Sequence, residues 1–126
     1  NAGFFLTGMF STALFTSGTT ISLSAPESGP LAGLLFFEDR ATTGVRIHRL
    51  GSNNARKMIG TIYMPTSVLN IDANAPMADQ SAYTAIVTQS LQLQSGPNLV
   101  LNSDYSATKV PVPEGIAGTS QVVLSR

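Results

Sequence analysis

A short apolar block recurs three times in this chain of 126 residues, and its spacing is the strongest constraint on the fold. The three copies lie at residues 33–37, 59–65 and 83–88. Matching Gly33 to Gly60 and Gly60 to Thr84 gives spacings of 27 and 24 residues. A block of about five residues is too short for a helix, which needs roughly 10 to 12 residues of helical periodicity, so each copy predicts a short buried strand. A period between about 20 and 50 residues is typical of solenoids, arrays and propellers.

Alternating patterns predict further strands between the blocks. Residues 19–24 place Ile21 and Leu23 between hydroxyl groups, and residues 45–50 alternate apolar with cationic side chains, which favours half-buried strands. The polar stretch at residues 72–81 predicts a protruding loop. The apolar residues from Phe4 to Phe15 predict a core strand, although Phe5, Met9 and Ala13 would also share one face of a helix. Additional short strands are predicted at residues 3–7, 68–71, 91–94, 99–102 and 121–124.

These strands, with almost no helical pattern, favour an all-β fold: a right-handed parallel β-helix, or β-solenoid, of a few short coils. The alternative is an antiparallel β-sandwich, although hairpin pairing would not require equivalent blocks every 25 residues or so. The phenylalanine-rich start and residues 121–124 are candidate caps of the open ends. The levels predicted to stack are Leu34 and Leu35, Ile62 and Tyr63, and Ile86 and Val87.

Composition limits the domain organisation and the partners. The length fits a single β-solenoid domain over residues 1–126. Seven basic and seven acidic side chains are scattered along the chain, so we expect no nucleic-acid partner. No apolar run reaches the ~18 residues of a membrane span. Because the chain begins at Asn1, we expect a fragment of a longer exported protein, with any anchor upstream.

Four blocks, taken in order, resemble the C-terminal region of TadG-type proteins, which are bacterial Flp (tight adherence) pilus-assembly proteins. These blocks are residues 21–26, 28–40, 50–54 and 60–65, and the resemblance extends through residues 83–87, 91–101 and 110–113. It implies an exported protein at the bacterial cell surface or in the periplasm, anchored through an upstream segment. It also implies other envelope or pilus proteins as partners, and it supplies no catalytic residues.

The densest charge cluster is Glu38, Asp39 and Arg40, directly after the first buried block. Loops that follow β-helix strands can carry acid/base or ligand-binding groups, but such a cluster can equally be a self-neutralising surface corner. Tyr105 is a further candidate for ligand binding, because tyrosine rings stack on sugars, whereas Tyr63 and Tyr83 are predicted to lie in the core.

A few side chains are candidates for metal binding or for a nucleophilic site. Asp72, Asn74 and Asp79 offer oxygen ligands that suit Ca²⁺, although their spacing does not match an EF-hand and a solvated loop is the alternative. His48 is the only histidine, and no Gly-x-Ser-x-Gly elbow accompanies it to place a serine nucleophile.

The sequence therefore predicts a non-enzymatic envelope domain that contributes to pilus assembly or adhesion through protein contacts. The alternative is a carbohydrate-binding or carbohydrate-active β-helix that recognises cell-surface glycans. In that alternative, Glu38, Asp39, Arg40 and Asp72 would converge on one groove.

Overall fold

A computed structural model describes residues 1–96 and 98–116. The described chain is all-β, as predicted, and its one helical segment is a short 3-10 turn, Tyr105–Ala107. The strands are β1 (Phe4–Leu6), β2 (Leu14–Phe15), β3 (Thr20–Ser24), β4 (Leu34–Glu38), β5 (Ile47–Leu50), β6 (Asn54–Asp72), β7 (Pro76–Met77), β8 (Thr84–Gln94) and β9 (Asn98–Leu99).

The nine strands form a curled parallel sheet, shaped as a half-barrel. The long strand β6 lies at its centre and pairs with β3, β4, β5, β7 and β8, all in the parallel sense. β1 extends the sheet beyond β4, and β2 extends it beyond β5. The antiparallel contact in the described chain is a single bridge between Tyr83 and Ser103. This parallel pairing contradicts the alternative of an antiparallel sandwich.

Parallel pairing aligns side chains in columns that cross the sheet. We call two of them the inner columns, because their central members are buried. One inner column contains Phe4, Phe36, Ile62 and Ile86. The other contains Phe15, Leu50, Ile71 and Leu93. Side chains on alternate positions of each strand face outward, since successive residues of a strand point to opposite faces.

The register confirms the predicted repeat in part. Gly60 pairs with Thr84, and the pairing of Leu34 with Thr61 agrees with the matching of Gly33 to Gly60. An irregularity between Leu34 and Phe36 then shifts β4 against β6. Ile62 and Tyr63 are therefore opposite Phe36 and Phe37, and the predicted stacking of Leu34 and Leu35 at this level is wrong.

The prediction of a protruding loop at residues 72–81 is also wrong. β7 lies within this segment and pairs with both β6 and β9, so the segment belongs to the sheet. Met77 and Ala78 are fully buried, and the Ser81 hydroxyl accepts a hydrogen bond of 2.7 Å from the backbone N–H of Met58. Residues 68–71 form the end of β6 and not a separate strand.

The phenylalanine-rich start lies at an edge of the sheet and not in its core. Phe5, Met9 and Leu14 are all more than half exposed, and Phe10 is 89% exposed. The segment forms strands as predicted, but each pairs on one side, which leaves these apolar groups in contact with solvent. The edge strand predicted at residues 121–124 lies outside the described residues.

The proline-rich segment at residues 110–113 packs along the body of the sheet. Val110 is buried, and the Tyr83 hydroxyl donates a hydrogen bond of 2.6 Å to the carbonyl oxygen of Pro111. Gly33 has a φ of +79°, and a Cβ on it would lie 2.2 Å from the same oxygen. Only glycine therefore fits at residue 33 without displacing this segment.

Among the residues described, no helix is both long and apolar enough to cross a membrane.

Candidate functional site

A buried ionic corner occupies the inside of the curled sheet where β4 ends. The carboxylate of Glu38 is fully buried, and its Oε2 atom lies 2.9 Å from Arg46 Nη2 and 3.1 Å from His48 Nε2. Arg46 precedes β5 and His48 lies within it, so the segment between β4 and β5 folds back to bring both groups to Glu38. We call Glu38, Arg46, His48, Thr66 and Ser67 the buried corner.

Thr66 and Ser67 complete the corner from a bend in β6. The register between β6 and β8 shifts between Met64 and Val68, which leaves the N–H of Thr66 free to donate 3.0 Å to Glu38 Oε1. The Thr66 hydroxyl donates to the same oxygen at 2.6 Å, and the Ser67 hydroxyl donates to Oε2. Burial raises the pKa of Glu38, but hydrogen bonds from Ser67, Thr66 and His48 outweigh burial and lower it to about 2.

Both ring nitrogens of His48 are already engaged. Its Nδ1 accepts a hydrogen bond of 3.0 Å from the backbone N–H of Ala13, so this nitrogen carries no proton, and Nε2 faces Glu38. A catalytic triad needs one imidazole nitrogen free to activate the serine. Here the carboxylate of Glu38 lies between His48 and Ser67, and a Ser-His-acid arrangement is not formed.

The buried corner also holds the chain before β2. Arg46 Nη1 donates 3.0 Å to the carbonyl oxygen of Gly8 and 2.7 Å to the hydroxyl of Ser11. Together with the bond from Ala13 to His48, these contacts attach residues 8–13 to the rest of the sheet. A removed partner would leave a charge buried without compensation, so the geometry supports a structural role for this corner.

The structure separates the three members of the predicted charge cluster. Glu38 faces inward and pairs with Arg46, so a surface corner neutralised within residues 38–40 is wrong. Asp39 accepts hydrogen bonds from the Ala41 N–H at 2.9 Å and from the Thr7 hydroxyl at 3.2 Å.

Arg40 instead joins an outer aromatic ladder made of Phe5, Phe37 and Tyr63. The ring centroids of Phe5 and Phe37 are 5.5 Å apart, and those of Phe37 and Tyr63 are 5.4 Å apart. The guanidinium carbon of Arg40 lies 5.3 Å from the Tyr63 ring centroid, a cation–π geometry. Tyr63 is therefore on the outer face, and its predicted place in the core is wrong.

The remaining tyrosines pack against each other at the end of β8. Tyr83 is fully buried, as predicted, and Tyr105 meets its ring edge-on at a centroid distance of 5.3 Å. Tyr105 is 40% exposed and packs on Tyr83, whereas Arg40 packs on Tyr63, so these two ligand-binding candidates contact different tyrosines.

The two aspartates among the three calcium candidates pair with different arginines. Asp72 pairs with Arg49, and its pKa is lowered chiefly by a hydrogen bond from Ser95. Asp72 and Asn74 line the same groove of about 270 Å³, together with Phe15, Ser17, Arg49 and Asn53.

Asp79 pairs with a different arginine. The Nε and Nη2 atoms of Arg56 each donate a hydrogen bond to its carboxylate, and this pairing lowers the pKa of Asp79. Within residues 1–96 and 98–116, no three His, Asp or Glu side chains gather closely enough to hold a metal ion. Calcium binding stays a prediction, and it would require the displacement of an arginine.

Both margins of the sheet are formed by segments that contain no charged side chain. Residues 1–26 and 80–103 contain no Asp, Glu, Lys, Arg or His side chain. The first of these segments contains β1 and β2, which we call the first edge, and the second contains β8, which we call the last edge. Within residues 1–96 and 98–116, each edge strand has its principal sheet partner on one side only.

Both edges also expose apolar groups. Phe4 is 41% exposed at the first edge, and Leu93 is 51% exposed at the last edge, although both belong to inner columns. Natural proteins normally protect open strands with charged residues, proline or a covering segment, because unpaired backbone groups invite association. β1, β2 and β8 contain no charged residue and no proline, and in the described chain residues 102–103 cover only the start of β8.

Sequence reasoning missed Arg46 and His48 as partners of Glu38. The alternation at residues 45–50 correctly predicted a half-exposed strand, but the polar side chains Arg46 and His48 take its buried face while Ile47 is exposed. A usable signal was Glu38 itself, since an acid within an apolar strand needs a buried partner. For the two edges, the signal in the sequence was the absence of charged residues from residues 1–26 and 80–103.

Comparison with known proteins gives no match to this chain, whether against protein-family models, curated proteins or solved structures.

Proposed function

We propose that the chain is a non-enzymatic, surface-exposed β-solenoid domain that contributes to Flp-type pilus assembly or adhesion through protein contacts. The observation that carries the proposal is the pair of uncharged, apolar edges on one parallel sheet. A strand edge recognises a partner through main-chain hydrogen bonds, and the adjacent side chains give that pairing its register. In this proposal the sheet belongs to a right-handed coil, and the domain is exported to the cell surface or periplasm.

The placement of the acidic residues supports contacts over catalysis. A carbohydrate-active site needs an acid and a second carboxylate on one open groove. Glu38 faces the interior, Asp39 is bound to local backbone, and Asp72 pairs with Arg49 at a different groove. Arg40 rests on Tyr63. The four residues of the enzymatic alternative therefore occupy different surroundings.

Co-sedimentation with sheared surface appendages tests the proposal. The purified chain is expected to enter the appendage pellet, and a lysine at either edge, Phe4→Lys or Leu93→Lys, is expected to reduce its retention. Ile47→Lys is the matched control, because Ile47 is 61% exposed but lies in β5, an interior strand between β6 and β2. Equal retention of all four proteins, or no retention of the unmodified chain, would contradict the proposal.

The outer aromatic ladder favours a second candidate, a glycan-binding module. Phe37, Tyr63 and Arg40 line a groove of about 400 Å³ that also contains Glu114. Phe37 and Tyr63 are partly exposed, and aromatic rings beside charged groups suit the apolar faces and hydroxyls of sugar rings. Retention by insoluble cell-surface polysaccharide that is lost in Tyr63→Ala, with appendage binding absent, would support this candidate in place of the first.

A further inference from the structure

The first and last edges of the sheet run in the same direction. β1 is parallel to β4, β4 to β6, and β6 to β8. If β1 of a second copy lay against β8 of the first copy, the sheet would be extended with all of its strands still parallel. The column that ends at Ile86 would continue at Phe4 of the second copy, and the column that ends at Leu93 would continue at Phe15 of that copy.

Among the residues described, no further strand continues the inner columns beyond their end members. Phe4 and Leu93 are exposed at these ends, whereas Phe15 and Ile86 are partly buried against the core. The central members of the columns, Phe36, Ile62, Leu50 and Ile71, are at most 2% exposed, because each has a neighbour on both sides. Leu93 has a neighbour on one side and remains half exposed. The same kind of side chain is thus buried in the middle of a column and exposed at its end. A further layer on the last edge would bury Leu93 as the existing layers bury Ile71.

Charge agrees with an identical partner. The first edge and the last edge are both free of charged side chains, so neither repels the other and neither selects a partner of opposite charge. From these observations we propose that each open edge is filled by the complementary edge of a second copy of this chain, in a head-to-tail stack. This inference rests on the proposed function and names the partner at the same edges.

The alternative symmetry, a pairing of like edges, fits less well. Two copies that meet through β8 and its equivalent about a two-fold axis would pair in the antiparallel sense. The inner columns would then lose their continuity at the junction. A head-to-tail contact preserves them, and because such a contact does not close on two copies, it can add copies indefinitely.

Sedimentation velocity on edge-blocked variants tests the stack. Phe4→Lys blocks the first edge and Leu93→Lys blocks the last edge, each by placing an ammonium group that stacking would bury. Both sites are partly exposed in the isolated chain, so folding should survive. Ser90→Lys, at an exposed position of β8, is a second variant of the last edge in case Leu93→Lys fails to fold. Ile47→Lys is the control.

The unmodified chain and Ile47→Lys are expected to form species that grow with concentration. Phe4→Lys and Leu93→Lys are each expected to stay monomeric at concentrations where the unmodified chain associates, with at least tenfold weaker association. A mixture of the two is expected to give a two-chain species and nothing larger, because each variant keeps the edge that the other lacks.

Two outcomes would overturn the proposal. If Phe4→Lys still dimerises by itself through its intact last edge, the contact joins like edges. If the unmodified chain stays monomeric up to about 1 mM, another chain covers the edges. Failure here with continued retention by appendages would leave the proposed function standing, whereas self-association without appendage retention would retain the stack and reject that function.

Discussion

The buried corner encloses a charged group, whereas the two open edges expose apolar groups. At the corner, Glu38 is enclosed by Arg46, His48 and two hydroxyl residues, although this part of the sheet interior is otherwise apolar. At the edges, phenylalanine and leucine side chains contact solvent without a charged residue nearby in sequence. Charge thus stabilises a turn inside the fold and is absent from the strands that have room for a partner. We therefore expect the functional contacts of this chain to lie at its edges.

The largest expected effect is at the corner, in Glu38→Gln. The change leaves Arg46 buried without a counter-charge, so we expect the free energy of unfolding at pH 7 to fall by about 3 to 5 kcal/mol. Urea denaturation measures the fall. Asp39→Asn is the control on the adjacent residue, and we expect it to change stability by less than about 0.5 kcal/mol. Equal effects of the two substitutions would show that the buried Glu38 carboxylate contributes no more to the free energy of unfolding than the Asp39 carboxylate does.

Truncation along one inner column compares its centre with its end. Ile71 is fully buried, so Ile71→Ala is expected to lower stability by about 2 to 5 kcal/mol. Leu93 is half exposed in the same column, so Leu93→Ala in dilute solution is expected to lower stability by about 1 kcal/mol or less. Thermal unfolding at low protein concentration measures both. A larger loss at Leu93 than at Ile71 would contradict the assigned register.

Acid should weaken the corner and spare the edges, which carry no titratable side chain. The pKa of Glu38 is lowered from 4.5 to about 2, so the folded state favours the ionised carboxylate. Its contribution is complete above pH 4.5 and is lost as the pH falls towards 2, on the order of 3 kcal/mol in total.

Denaturation of the unmodified chain and of Glu38→Gln, at intervals from pH 6 to pH 2, isolates this contribution. The two stability curves are expected to converge as the pH falls. Curves that stay parallel through this range would show that the Glu38 carboxylate is not preferentially ionised in the folded protein.

The smallest expected effect concerns calcium at the margin of the sheet. Asp72 and Asp79 are each neutralised by an arginine, so millimolar Ca²⁺ is expected to leave the thermal midpoint within experimental scatter. A rise that depends on calcium, and that disappears in Asp72→Asn, would instead establish the predicted calcium site. Mg²⁺ at the same concentration controls for ionic strength.

The strand content and the repeat were readable from the sequence because they depend on local patterns. The blocks at residues 33–37, 59–65 and 83–88 correspond to neighbouring strands. The earlier layer, in which Phe4 pairs with Phe36, was missed because its spacing of 32 residues exceeds the later ones. The irregularity after Leu34 was also unreadable, since a bulge depends on pairing that only the folded sheet provides.

The site was less predictable than the fold. Residues 38–40 were correctly singled out as unusual, but neighbours in sequence proved to face different environments. Glu38 meets Arg46 and Ser67 because a turn and a bend in β6 bring distant residues together, and no local pattern encodes that contact.

Disulfide capture between two single-cysteine variants tests directly whether the uncharged edges pair with each other. The natural chain contains no cysteine, so Phe5→Cys and Val87→Cys each introduce a unique thiol. Continuation of the column through Phe37, Tyr63 and Val87 places Phe5 of a second copy opposite Val87, within the reach of a disulfide. Val45→Cys, in the segment between β4 and β5, is the exposed control. We predict that an oxidised mixture of Phe5→Cys and Val87→Cys forms the mixed dimer in preference to either homodimer. Equal amounts of all dimers, or no dimer beyond the level of Val45→Cys, would contradict the account.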